Sequence, residues 1–122
     1  TVAKFLESHP KILKIHYPGT NPKYKSIASK QMRGFGGMMS VVLDTNLEGV
    51  NTFLSSLKIF TLAESLGGVE SLIEHPAIMT HASIDKKIRD SLGISDSLLR
   101  LSVGIEDVED IIDDLKQALD TI

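Results

Sequence analysis

Helix-period stripes and short apolar runs alternate along this chain, and that alternation leaves few folds open to it. Leu47, Val50, Phe53, Leu54 and Leu57 recur at helical spacing behind Asp44-Thr45-Asn46, a set of good cap residues. Val108, Ile111, Ile112, Leu115 and Leu119 form a second stripe behind Asp107. Between the stripes lie runs that read as strands: Met38 to Leu43 is nearly continuously apolar, and Leu98 to Val103 is apolar except at Arg100 and Ser102. A helix that is apolar on one face only must bury that face, and a sheet offers it a flat partner. The expected fold class is α+β, a two-layer sandwich of a mainly antiparallel sheet with helices on one face.

The remaining segments fit this scheme. His9-Pro10 ends an opening helix, because the residue before a proline is pushed out of helical geometry. Ile12 to Ile15 reads as a short strand closed by Tyr17-Pro18-Gly19. Asn21-Pro22 starts a helix with Tyr24, Ile27, Ala28 and Met32 on its apolar side and Lys23, Lys25 and Lys30 on its wet side. Residues 59–63 read as a third strand, residues 69–73 and 77–80 as extended pieces split by Pro76, and Asp85 to Leu92 as a short helix ended by Gly93. The 122 residues suit one domain, 1–122. The chain opens without Met and already inside a helical pattern, so it is expected to be a piece of a longer polypeptide. The helix-free sheet face is expected to be covered by what precedes Thr1.

Composition removes several function classes. There is no cysteine, hence no disulfide scaffold, thiolate metal site or cysteine nucleophile, and a reducing compartment, the cytoplasm, is the expected location. A net charge of −3 argues against nucleic acid as a partner. No apolar run approaches the roughly 20 residues that span a bilayer, so no membrane partner is expected.

Several candidate chemistries have plainer explanations. Gly34-Phe35-Gly36-Gly37 runs from a helix into a strand, the reverse of a phosphate cradle, so a tight turn and a close backbone approach explain it better. Glu74, His75 and His81 match no metal-ligand spacing. The acids from Glu106 to Asp114 lack the glycine that a calcium loop needs and read as the solvated side of a helix. Ser65 does not sit in a G-x-S-x-G elbow. Two features remain. Arg100 interrupts an apolar strand, either as a structural ion pair with one of the acids or as a bidentate clamp on a carboxylate or phosphate. Glu64-Ser65-Leu66-Gly67-Gly68 is a polar elbow that would gather backbone amides and a hydroxyl.

At these two features the chain becomes recognisable. The stretch from Thr61 through Gly67-Gly68 to Leu72, followed by Pro76 to Ser83, closely resembles the C-terminal domain of the Cys/Met-metabolism family of pyridoxal-phosphate (PLP) enzymes. Leu99 to Asp107 resembles the family's other C-terminal signature, and Tyr17-Pro18-Gly19 and Gln31 to Met38 also fit. The resemblance covers nearly the whole chain, in order.

The resemblance implies the small C-terminal domain of fold-type-I PLP enzymes, packed on a large cofactor-binding domain of the same polypeptide, within a homotetramer. The family's cofactor lysine lies in a Ser-x-Thr-Lys stretch, which does not occur here. This chain is therefore expected to hold neither a catalytic nor a cofactor-binding residue, and to be inactive alone. Its implied share is substrate binding: Arg100 matches the residue that binds the substrate α-carboxylate, Ser65 a residue beside it, and Thr80 a threonine lining the same pocket. Glu64 matches a position tied to the choice of substrate, where members acting on cystathionine at its γ-carbon carry Glu, methionine γ-lyases tend to be apolar and β-lyases aromatic. Glu64 would accept from the distal ammonium of cystathionine. That favours a γ-lyase yielding cysteine, 2-oxobutyrate and ammonia, with the γ-synthase next and the cofactor as electron sink. The rival reading is a stand-alone interaction module that keeps the fold without the chemistry. A free piece of the enzyme should expose an apolar patch, expected around Val69, Leu72, Ile73 and Met79.

Overall fold

The structure, a computed structural model, describes residues 1–122. In chain order its elements are α1 (Val2–Ser8), β1 (Ile12–His16), α2 (Pro22–Gln31), β2 (Met38–Leu43), α3 (Leu47–Ser56), β3 (Thr61–Leu62), β4 (Leu72–Glu74), α4 (Lys86–Ser91), β5 (Leu98–Ser102) and α5 (Val108–Leu119). The strands form one sheet in the order β1-β2-β5-β4-β3. Three of the neighbouring pairs are antiparallel and the short β3 runs parallel to β4, so the α+β, mainly antiparallel reading holds.

Strand β5 is central and sets the two faces of the sheet. Leu99 and Leu101 point the same way as Val41, Met39 and Ile73, their partners in register, and Leu43 joins them further along β2. Onto this face pack Val2, Ala3 and Leu6 of α1, Val50 and Phe53 of α3, and Ile111, Leu115, Ala118 and Leu119 of α5. Arg100 and Ser102 alternate to the opposite face, where Arg100 lies between Ser40 on β2 and Glu74 on β4.

Local chemistry fixes where the helices begin. The side chains of Asn21, Asn46, Asp85 and Asp107 accept from the backbone N–H groups of Lys23, Gly49, Lys87 and Glu109 at 2.9–3.0 Å, satisfying donors that have no partner inside the helix. The glycine run before β2 does what its order suggested. Gly36 has φ +75°, and a side chain on Gly37 would lie 2.8 Å from the Val103 carbonyl.

The structure differs from the sequence reading in five places. Residues 59 and 60, the start of the expected strand, lie instead in a bend over residues 58–60, because the N–H groups there turn to the Asp114 carboxylate rather than to a neighbouring strand. Residues 76–83 form turns, since Ile78 and Met79 donate to the His75 carbonyl and His81 to that of Pro76. Asp114 is buried, so the acidic stretch is not uniformly a solvated face. Helix α2 buries only Ala28, leaving Tyr24, Ile27 and Met32 exposed. Leu72 and Ile73 are buried because β4 is interior to the sheet, so of the expected apolar patch only Val69 is fully exposed. No helix is long and apolar enough to cross a membrane.

Candidate functional site

Arg100 stands in the middle of the sheet face opposite α1, α3 and α5. Its Nη1 donates to Glu74 Oε2 at 3.0 Å across the β4–β5 pair. Glu74 is 1% exposed while the arginine side chain is 47% exposed, so the contact fixes one edge of the guanidinium and leaves the rest open. Ser102, two residues further on β5, shares this face and is buried.

The elbow after β3 reaches toward the same face. Gly67 donates its N–H to Ser102 Oγ at 2.9 Å, and this is the one hydrogen bond made by residues 64–68. On one side of the arc, Ala63 donates to the Ile73 carbonyl at 2.9 Å. On the other, Ile105 donates to the Val69 carbonyl at 2.9 Å. Ser71 then closes the arc, donating from its N–H and hydroxyl to the two oxygens of Glu106 at 2.7 and 2.8 Å. These bonds, the backbone one first, hold the Glu106 carboxyl below the usual carboxylate range.

A second excursion leaves the other end of the pair. His75 is wholly buried, and its Nε2 lies 2.7 Å from the Asp96 carbonyl. Burial, the largest influence, lowers the His75 pKa from its ordinary value, so the neutral ring donates from Nε2. Asp96 also pairs with Lys86 at 2.6 Å and Arg89 at 3.2 Å, and the hydrogen bond from Lys86 does most to lower its carboxyl pKa. Arg100 thus lies between two tethers, Gly67–Ser102 and His75–Asp96.

The four residues singled out from sequence are not drawn together by direct contacts. Glu64 and Ser65 are exposed on the elbow, joined to the face of Arg100 only through Gly67 and Ser102. Thr80 is exposed in the turns after β4, its hydroxyl 2.8 Å from His81 Nδ1. None of the four lines any of the three clefts in the chain, of about 320, 210 and 270 Å³. His75 and His81 hydrogen-bond elsewhere, and no three His, Asp or Glu side chains converge as metal ligands. Two polar groups of the site were missed as such in the sequence, Glu74 and Ser102. The signal was there: each falls on an alternate position of a buried strand, where a polar residue needs a partner.

The comparisons with known proteins decide the family. A model of Cys/Met metabolism PLP-dependent enzymes matches residues 1–120. The chain belongs to that family. It is 57% identical over 120 residues to cystathionine beta-lyase of Coxiella burnetii, and 55% identical over 120 residues to cystathionine gamma-lyase of Bos taurus. Each match covers 97% of this chain, but only 31% and 29% of the relative. A solved cystathionine gamma synthase from Xanthomonas oryzae pv. oryzae, in complex with cystathionine, superposes with a TM-score of 0.89 at 48% identity, over 98% of this chain and 31% of that one. The chain therefore spans about a third of the length of its PLP-dependent relatives.

The residues present fit one end of a site in such an enzyme. Arg100, open along one edge, suits a carboxylate. None of the chain's lysines is buried.

Proposed function

We propose that this chain is the C-terminal domain of a PLP-dependent carbon–sulfur lyase and that its task is to bind the α-carboxylate of a sulfur amino acid. The observation that carries this reading is the posture of Arg100: anchored to buried Glu74 through Nη1, half exposed, with the Nη2 and Nε edge free for a bidentate partner. Cofactor chemistry falls to the part of the enzyme outside these 122 residues, and this chain alone is inactive. A large cofactor-binding domain and a homotetramer complete the enzyme in this reading, and its location is the cytoplasm.

The preferred member is a cystathionine γ-lyase. Relatives named as β- and γ-lyases match the chain almost equally, so the preference rests on Glu64, an exposed carboxylate on the elbow that can meet the distal ammonium of cystathionine. A γ-synthase is the second reading, favoured by the likeness to the Xanthomonas enzyme. Ser65 and Thr80 would line the same substrate, with Ser65 nearer the carboxylate.

The full-length enzyme tests both claims. Arg100→Lys keeps a charge for Glu74 but removes the fork, and cystathionine binding should weaken about 10- to 100-fold with cofactor absorbance retained. Unchanged binding would remove Arg100 from the site. Glu64→Gln should shift preference away from cystathionine, and an unaltered substrate profile would end the specificity role.

A further inference from the structure

The elbow that carries Glu64 and Ser65 has little of its own to hold it in place. Residues 64–68 form no helix or strand and are exposed except for half-buried Leu66. Between the anchors at Ala63 and Val69 the arc is tied down at one atom, Ser102 Oγ, through the Gly67 N–H at 2.9 Å. Ser102 itself is firmly set. It is buried, lies on the central strand, and is paired in register with Met38 on one side and Leu72 on the other. It is also the nearest residue of β5 on the face that presents Arg100.

We propose that Ser102 is a positioning residue of the substrate site: its hydroxyl sets the height and register of the Glu64–Gly68 elbow over the face of Arg100. This inference rests on the carboxylate-binding reading above and deepens it. Arg100 fixes one end of the substrate, and residues on the elbow meet what extends from it. The distance between those two sets of contacts is then defined by one side chain on the strand that bears Arg100. Ser102 touches no substrate itself. It acts through Gly67, two residues from Ser65 and three from Glu64.

The test uses the full-length enzyme with Ser102→Ala and Ser102→Thr, and with Arg100→Lys assayed in parallel. Loss of the Gly67 bond should speed exchange of the Gly67 amide about fivefold and raise KM for cystathionine by a similar factor, with a smaller change in kcat. Threonine keeps the acceptor and should restore most of both. A Ser102→Ala enzyme with unchanged exchange, or with faster exchange and unchanged KM, overturns the proposal. If Arg100→Lys binds substrate normally, the carboxylate reading fails on its own account, while exchange of the Gly67 amide still reports whether Ser102 holds the elbow.

Discussion

Arg100 and Glu74 meet at 3.0 Å across the β4–β5 pair from opposite environments, the carboxylate wholly buried and the guanidinium half in water. The pair is therefore asymmetric in what its loss would cost. Removing the arginine strands a buried charge, which costs about 3 kcal/mol. Removing the carboxylate charge leaves a guanidinium that water can reach. In Glu74→Gln the amide can keep its oxygen toward Arg100 and place its NH2 where Oε1 now has no partner. That change should cost about 1 kcal/mol or less. Urea unfolding of Arg100→Ala and Glu74→Gln at neutral pH measures the difference, and equal losses would show that the burial of Glu74 does not govern the pair.

The buried His75 should make stability depend on pH. Its folded pKa lies below the ordinary value of 6.5, lowered first by burial and also by the Arg89 charge, while the Asp96 carbonyl and carboxylate act against them. A base of this kind takes up a proton more readily in the unfolded chain. Its contribution is complete above 6.5 and is lost as pH falls from there through the lower folded value. His16, also lowered by burial and by Lys14, adds in the same direction. Glu106 and Asp96 act lower: their folded values are depressed, so their contributions are complete above ordinary values of 4.5 and 3.8 and are lost as pH falls from there through the lower folded values. Urea midpoints should fall from pH 7.5 to pH 5, and His75→Gln, which can still donate to the Asp96 carbonyl, should flatten that part of the curve. A slope unchanged by the substitution would place its origin elsewhere.

The fold was legible where local and tertiary signals agree. Strand β2 matches its apolar run residue for residue, and Asn21, Asn46, Asp85 and Asp107 cap the helices they precede. Legibility failed where a side chain far along the chain takes over the backbone. Ile59 and Phe60 carry strand composition, but their amides are claimed by Asp114, more than fifty positions away. The apolar side of α2 is equally clear in sequence, yet nothing in these residues covers it. Of the candidate site, Arg100 announced itself as a charge in an apolar strand. Its partner did not, because pairing of β4 with β5 is a property of the sheet and not of either segment.

Asp114 should be one of the most costly polar residues to lose. It sits on the buried side of α5, beside Ile111, Leu115 and Ala118 in helical spacing. Its carboxylate accepts from the N–H groups of Lys58, Ile59 and Phe60 at 2.8, 2.8 and 3.2 Å, and from Gln117 Nε2 at 3.1 Å. Charge-assisted bonds of this kind are strong, and alanine would leave the amides without an acceptor. The expected loss is about 3 kcal/mol, a fall in Tm of about 10 °C, read by thermal unfolding. A loss under 1 kcal/mol would mean that water replaces the carboxylate at this bend.

Gly104 and Gly34 should respond in opposite ways to alanine. Gly104 follows β5 by two residues, where the chain closes against the far end of the elbow. A Cβ there would come within 2.4 Å of the Val69 carbonyl oxygen and 2.6 Å of the Glu70 carbonyl carbon. Both are backbone atoms, so relief requires moving the Val69–Glu70 backbone that anchors the elbow and straining the bonds from Gly104 N–H to Ser71 Oγ and from Ile105 N–H to the Val69 carbonyl. Overpacking of this kind costs about 1–3 kcal/mol, and here the strain also bears on the segment that carries Glu64 and Ser65. At Gly34 nothing lies within 4 Å of an added Cβ and φ is not positive. Alanine there restricts the unfolded chain without a clash and should leave stability unchanged or raise it by up to about 1 kcal/mol. Denaturant melts of the two variants, with substrate KM in the full-length enzyme, separate the cases: Gly104→Ala should lose stability and substrate affinity together, and Gly34→Ala neither. Equal tolerance at both positions would mean that the elbow shifts freely against β5, which would also remove the physical basis for its precise placement by Ser102.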